Sequence, residues 1–332
     1  MTDSTELAPI NDLKAKFPNG VWTSRARRRL ERLTPNPAAF GAWEGGLTWS
    51  SRIQEVAAPV PFQRPRALFF AGRYPDGWDA GAEDDVNVAM TDVETQHGVI
   101  GEPPARAGIS TKLVEVSPSL GQGGPLLDSA EVEDAVLAGR EVADKAIDAG
   151  HDVLLMTGLG TGAQTAAVAV CATFVKNDIT NFLPTLVHPD GTVNDAAWMD
   201  RIVSLRDHLG AHRGFERRPE EIIARVAGAE LGAMAAAIVT ASARRTPVLL
   251  DGVTGAAAAM VARDVQLAAP KWCYMPNRPS HPVIDKLAAQ AGFSDGMGLD
   301  VNLGDGAGLI PGWNVLQEAL RTSELFGNAS TD

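Results

Sequence analysis

Five short apolar runs punctuate the chain: Ala67 to Ala71 (ALFFA), Leu113 to Val116, Val153 to Met156 (VLLM), Pro247 to Leu250 and Lys271 to Met275. They are too short for core helices, and VLLM shows no alternation of apolar and polar positions. Such runs read as strands buried on both faces. Between them lie longer segments in which apolar or small residues return every three or four positions. Arg25 to Leu33 is one, and a second carries Phe40, Trp43, Leu47, Trp49 and Ile53. Further helices are expected over 86–97, over 128–150, from Ala163 to about Lys176, over 255–268 and over 282–290. Pro219 to about Arg245 reads as two alanine-rich helices split near Gly228. The 128–150 helix is the best marked. Asp128 and Glu131 have capping-box spacing, Val132, Val136, Ala143 and Ile147 share a face, and Gly150 stands where a helix-ending glycine belongs. Loops are expected over 59–65, 72–85 and 102–108, the last because it holds Pro103 and Pro104, and through the loop-rich stretch 181–214. Strands alternating with helices over about 200 residues predict an α/β fold with a doubly wound, mostly parallel sheet.

Glycines mark where such a sheet binds ligands. After Val153–Met156, Gly158, Gly160 and Gly162 fall at alternate positions and Ala163 opens a helix. Strand, glycine loop and helix start make an anion site when the loop amides point outward, so the N–H groups of Gly160, Gly162 and Ala163 are expected to face a phosphate, a sulfate or a solvent-filled pocket. The alternative is a turn whose glycines only pack helix on strand. G-x-G-x-G matches neither the dinucleotide fingerprint nor the P-loop. Gly121 to Gly124 (GQGG) is a weaker loop candidate. The loops at Gly72, Gly158 and Asp251 all follow strands, the side where ligands of open α/β sheets bind.

Charge and composition narrow the partners. The chain has 332 residues and a net charge of −12, which argues against nucleic acid. No apolar run approaches the ~20 residues of a membrane span. The N-terminal residues carry no basic and apolar leader pattern, and a cytoplasmic protein is expected. Cys171 and Cys273 form no C-x-x-C pair, so neither a disulfide framework nor a cysteine zinc site is expected. His208 and His212 would share a helix face, but without a third ligand no metal is expected. Asp305, between two glycines in LGDGAGLIPG, has a setting that suits a general base or a simple turn. Asp251 shares that ambiguity. Ser280-His281 could touch a ligand, but there is no G-x-S-x-G element to support a hydrolase triad.

Four segments together resemble the nicotinate-nucleotide–dimethylbenzimidazole phosphoribosyltransferase family. The family's GEMGIGNTT-like loop is matched by TGLGTGAQT (157–165), and its PVLLDG by Pro247 to Gly252. Its LGEGSGA is matched by LGDGAG (303–308), and its early GDHG-like strand end by FFAGRYPDG (69–77). The resemblance spans roughly residues 20–320. It implies a Rossmann-like core over 61–275, a smaller helical domain from 1–60 and 276–332, and a homodimer. The implied reaction moves the phosphoribosyl group of nicotinate mononucleotide to an aromatic base such as 5,6-dimethylbenzimidazole, giving an α-ribotide without a cofactor. The implied base is Asp305. Arg73, Tyr74, Gly158, Gly160, Gly162, Ala163, Gln164, Thr165, Asp251, Gly252, Gly304 and Gly306 are implied around the substrates. The chain departs from the family pattern at several positions. The acidic position of GEMG falls on Gly158, the Asp-His pair of the early loop on Arg73 and Tyr74, and the Asn-Thr-Thr on Ala163, Gln164 and Thr165. The family glutamate is shortened to Asp305. The alternative reading is a paralogue that binds nucleotide or base with little or no turnover.

Overall fold

The computed structural model describes residues 7–329, apart from 35, 37, 79–84, 121–123, 177, 189, 294, 295 and 305. Two helices, α1 (Val21–Leu33) and α2 (Trp43–Gln54), precede β1 (Pro65–Ala71). Then follow α3 (Asp85–Thr95), α4 (Gly98–Arg106), β2 (Ser110–Glu115), α5 (Ser129–Asp148), β3 (Val153–Gly158), α6 (Ala163–Phe174) and α7 (Asp195–Ala211). The second half runs α8 (Pro219–Ile222), a π turn (Ile223–Ala227), α9 (Gly228–Ala243), β4 (Val248–Leu250) and α10 (Gly252–Val265). It ends with β5 (Cys273–Tyr274), α11 (Ile284–Ala291) and α12 (Leu309–Ala329).

Among the described residues five strands form one sheet, all parallel, in the order β2-β1-β3-β4-β5. The expected doubly wound α/β architecture is therefore present. The chain builds outward from β1 to β2, then returns to β3 on the other side of β1, so the topological switch point lies between β1 and β3. Alternate strand residues feed two separate cores. Leu68, Phe70, Leu154, Met156, Val248 and Leu250 face a core shared with α5, α6, α9, α10 and α11. Ala67, Phe69, Val153, Leu155 and Leu249 face the other, closed by Leu30, Leu47, Trp49, Val86, Val93, Leu316 and Leu320. Helices α1 and α12 meet on that second face, where the Arg29 guanidinium donates to Ser323 Oγ at 2.9 Å and to its carbonyl at 2.7 Å.

The capping box of α5 is complete: the Glu131 amide donates to Asp128 Oδ1 at 2.9 Å and the Asp128 amide to Glu131 Oε2 at 2.8 Å. Gly150 follows the helix at φ +84°. Helices α5 and α9 lie so close that a Cβ on Gly139 would overlap the Ala233 carbonyl. Small residues let the backbones approach to that distance. The stretch Pro219–Ala243 is long and apolar enough to resemble a membrane span, but 89% of its most apolar window is buried in the fold. It has the composition of a core helix.

Two loop expectations are corrected. Pro103 and Pro104 lie inside α4 rather than in a loop. They stand in its C-terminal half, and close packing on α3 holds the segment: a Cβ on Gly101 would overlap the Asp92 carbonyl. Tertiary contact here outweighs local preference. The stretch 181–214, expected to be loop-rich, contains the 17-residue α7. Asn194 caps it by accepting from the Ala197 amide at 3.1 Å. Trp198, Ile202, Leu205 and Leu209 form its apolar face, a periodicity masked by intervening charges. The segment expected as a strand over 271–275 is a 3-10 turn (Ala269–Trp272) followed by the two-residue β5, because Pro270 cannot donate to a ladder.

Candidate active site

The loops leaving β1, β3 and β4 converge at the carboxyl edge of the sheet, around its switch point. The loop after β1 is pressed onto the loop after β3. The Tyr74 amide donates to the Thr161 carbonyl at 3.2 Å, and the Leu159 amide to the Phe70 carbonyl at 2.7 Å. Gly162 sits at φ +84°, and a Cβ there would stand 2.9 Å from Tyr74 Cβ. Only glycine combines that backbone with that clearance. Tyr74 is buried, stacks on Trp78 with ring centroids 5.9 Å apart, and donates its hydroxyl to the Ala227 carbonyl at 2.8 Å. Burial, followed by the nearby charge of Glu230, holds its phenol well above the usual tyrosine range.

The amides of the β3 loop do not all turn outward. Gly158 donates to Thr254 Oγ1 at 3.2 Å, Gly160 to Glu230 Oε1 at 3.2 Å, and Ala163 to the Gly160 carbonyl at 3.0 Å. At Gly160 and Ala163 the expected anion-facing N–H groups are therefore engaged within the fold. A carboxylate already lies against Gly160, and a second anion at that amide would meet its repulsion. Thr165 is also turned inward. Its hydroxyl donates to the Trp78 carbonyl at 2.7 Å and accepts from Arg201 Nε at 2.5 Å. Gln164 is half-buried at the rim, and Arg73 donates to Asn87 Oδ1 at 2.7 Å.

Asp251, at the end of β4, holds the C-terminal glycine loop. One of its carboxylate oxygens, Oδ2, accepts from the Gly306 amide at 3.0 Å and from the Gly308 amide at 3.1 Å. The other, Oδ1, accepts from Asn277 Nδ2 at 3.1 Å. Asn277 in turn clasps the backbone of Val301, accepting from its N–H at 3.1 Å and donating to its carbonyl at 3.0 Å. A Cβ on Gly308 would overlap Asn277 Nδ2, so the approach of the loop requires glycine there. Burial pushes the Asp251 carboxyl up to about 6, against the opposing pull of its hydrogen bonds from Asn277, Gly306 and Gly308. Gly252 begins α10 directly behind it at φ +71°. Gly306 packs over the end of β3, with its Cβ position 3.2 Å from Thr157 Cγ2, and Gly304 lies exposed. Asp305, between them, lies outside the described residues, as do Gly121, Gln122 and Gly123 of the second glycine cluster.

Beyond β5, Ser280 and His281 line an open groove of about 550 Å³ with Arg278, Asp285, Lys286 and Asp300. Burial, then the charge of Arg201, pulls His281 down to about 4, so the ring is neutral at physiological pH. His208 of α7 and His212, which caps the helix's C-terminal end, have ring centroids 4.5 Å apart. His208 Nε2 lies 2.6 Å from the Arg225 carbonyl, and its ring packs edge-on against Trp78. Two residues central to this region were missed from the sequence, Glu230 and Asn277. The signal for Glu230 was present: it is the one charged residue in GAELGAMAAAIVTASA, the sequence of α9. A lone carboxylate in an apolar helix seldom has only a packing role.

Comparison with known proteins places this arrangement among relatives. A phosphoribosyltransferase family model matches residues 80–329. The nicotinate-nucleotide–dimethylbenzimidazole phosphoribosyltransferase of Mycobacterium tuberculosis is 29% identical over 325 residues, covering 91% of this chain and 89% of that protein. The protein of the same name from Corynebacterium glutamicum (strain ATCC 13032) is 26% identical over 340 residues, covering 96% and 94%. The crystal structure of CobT from Thermus thermophilus has the same fold, with a TM-score of 0.77 and 22% identity, covering 92% of this chain and 96% of that one.

Proposed function

The chain belongs to the phosphoribosyltransferase family matched over residues 80–329, as a divergent member, and from that premise we propose that it moves the phosphoribosyl group of nicotinate mononucleotide to an aromatic base such as 5,6-dimethylbenzimidazole. The product is the α-ribotide used as a cobamide lower ligand. The chemistry is a displacement at the ribosyl carbon. The bond from C1′ to the nicotinate nitrogen breaks and its electron pair stays with nicotinate. An acceptor ring nitrogen forms the new bond to C1′, and the proton on the acceptor's other nitrogen passes to Asp305.

The observation that best supports this reading is the hold of Asp251 on the loop that carries Asp305. Two amides just after Asp305, at Gly306 and Gly308, are fixed by one buried carboxylate oxygen. A base must sit within hydrogen-bond reach of the proton it removes, and a loop fixed at two points can hold it there. On this reading Asp305 is the base and Asp251 orients it. Arg73, Gly160, Gly162, Gln164 and Gly304 edge the substrate site, with Tyr74, Gly158, Ala163, Thr165, Gly252 and Gly306 forming the packed layer beneath. The paralogue without turnover is the less favoured reading, because the similarity to the named transferases runs through nearly the whole chain. A homodimer and a cytoplasmic location go with the proposal.

The test is product analysis. Purified protein is given nicotinate mononucleotide with a panel of benzimidazoles, purines and phenols. Release of nicotinate with formation of an α-ribotide from at least one acceptor is expected. Nucleotide binding with no ribotide from any acceptor would overturn the reading.

A further inference from the structure

Helix α1 carries a row of cations that the fold leaves unused. At 3.6 residues per turn, Val21, Arg25, Arg28 and Arg32 fall within an arc of about 60°, opposite the buried Ala26 and Leu30. All four are exposed. The neighbouring charges are engaged elsewhere. Arg27 pairs with Glu44 at 3.0 Å, Arg29 is held by Ser323, and Asp12 is taken by Arg140 at 3.0 Å. Glu31 lies about a quarter turn off the row, beside Arg27 and Glu44. Among the described residues no ion pair engages Arg25, Arg28 or Arg32. The Arg25 guanidinium lies over the Trp22 ring, 4.4 Å from its centroid, and Arg32 Nε donates to the Arg28 carbonyl at 3.0 Å.

Such a row weakens the helix that carries it. Arg25 and Arg28, three apart, and Arg28 and Arg32, four apart, repel each other. The first turn holds no acid, and Gly20 supplies no side-chain cap. A solvated face needs only mixed charges, so in a chain of net charge −12 a row of like cations calls for another account. Two exposed apolar residues stand at its start, Phe17 at 59% and Val21 at 53% exposure. Exposed Lys14 and Lys16 precede them, and the Trp272 indole anchors this segment by donating to the Lys16 carbonyl at 2.7 Å. Cations on a convex helix, led by an exposed aromatic ring, match a flat anionic surface with an apolar layer beneath it. An acidic protein surface would take the arginines but offer nothing to Phe17.

We propose that α1 docks the protein peripherally on an anionic lipid surface, with Arg25, Arg28 and Arg32 on the headgroups and Phe17 and Val21 dipping among them. Each basic residue held near such a surface strengthens binding about fivefold. The acids of the rest of the chain oppose this weakly, because charges more than about 8 Å away are largely screened at physiological ionic strength. No residue of the row lies at the candidate active site, so the docking does not depend on the transfer reaction.

Co-sedimentation of the full chain with vesicles of phosphatidylcholine, alone or mixed with an equal amount of phosphatidylglycerol, tests this. The wild-type protein should pellet with the mixed vesicles at low salt and stay in solution with phosphatidylcholine alone. It should be released in ~1 M salt, where charges are screened beyond about 3 Å. The triple variant Arg25→Gln/Arg28→Gln/Arg32→Gln should bind the mixed vesicles about 100-fold more weakly, with its melting temperature unchanged. Phe17→Ser should weaken binding several-fold through lost apolar burial and leave its salt dependence as in wild type. A wild-type protein that ignores the mixed vesicles, or a triple variant that binds them as well as wild type, would overturn the proposal. Binding to polyglutamate without binding to vesicles would assign the row to an acidic protein. A dimer in analytical ultracentrifugation that the triple variant breaks, again without vesicle binding, would assign it to a second copy of the chain. Either result overturns the lipid reading.

Discussion

Replacing Asp251 by Asn should leave the protein at least as stable at neutral pH and make it a worse enzyme. Burial pushes the Asp251 carboxyl to about 6 from an ordinary value near 3.8. Two pH units of upward shift correspond to about 3 kcal/mol. The folded state holds this proton more tightly than the unfolded chain does. Its contribution to stability is therefore fully present below about pH 4 and is lost as pH rises through about 6. Asn is a neutral isostere of the protonated acid, so removing the charge alone would leave the variant level with wild type at pH 4 and up to about 3 kcal/mol more stable at pH 7. One penalty opposes this gain. If the carbonyl of the introduced amide stays on the Gly306 and Gly308 N–H groups, its NH₂ group faces Asn277 Nδ2, donor against donor. Asn277 cannot flip, because its two ends are matched to the N–H and C=O of Val301. That mismatch costs about 1–3 kcal/mol at every pH, so the variant should fall below wild type by that amount at pH 4 and lie between level with it and more stable at pH 7. Activity should still fall. A weaker hold on Gly306 and Gly308 loosens the loop of Asp305, and displacement of a base by ~1 Å can cost ~100-fold in rate. Urea unfolding of both proteins at pH 4, 5, 6 and 7, with kcat measured in parallel, checks this. A variant several kcal/mol less stable than wild type at pH 7 would refute it, since the hydrogen bonds would then outweigh the burial of the charge.

Three further outcomes follow from the same geometry. Asp305→Asn should lower kcat about 10²- to 10⁴-fold while calorimetry shows nucleotide binding nearly unchanged, and Asp305→Glu should keep or raise activity toward benzimidazoles. Gly162→Ala should destabilise by roughly 1–3 kcal/mol in thermal unfolding, because a Cβ meets both the positive φ and Tyr74; an unchanged melting temperature would show that the loop yields easily. Asp128→Ala should cost about 1 kcal/mol by removing one half of the α5 capping box, read in denaturant titrations.

Much of the fold could be read from single segments. Val153–Met156 announced a central strand because a sheet covered on both faces needs unbroken apolar residues, and Asp128, Glu131 and Gly150 marked both ends of α5. Helix α7 was harder to see because its apolar face is narrow and Arg201 is buried within it. Pro103 and Pro104 misled because their effect on α4 depends on α3, which lies outside their local sequence. The loops of the candidate site stood out in the sequence, but their bonding did not. Gly158, Gly160 and Asp251 stood out as motif residues. That the glycines clear space for Glu230, 70 residues beyond Gly160, and that Asp251 grips a loop more than 50 residues ahead, are facts of the folded chain that no local pattern carries.

The meeting of α2 and α12 sets an order of assembly during synthesis. The face of the sheet formed by Phe69, Leu155 and Leu249 is covered by α2, made before the strands, and by α12, made after all of them. Gln317 closes this seam, accepting from the Phe62 amide at 3.1 Å and donating to the Phe62 carbonyl at 2.7 Å. On the ribosome, the other face can pack as soon as α11 emerges, while this one stays open until α12 leaves the exit tunnel. The LGDGAG loop directly precedes that helix, so the carboxyl edge of the sheet is completed in the same step. A nascent chain that has not yet released α12 therefore displays a sticky half-covered sheet, and it is a natural client for chaperones until that helix is in place.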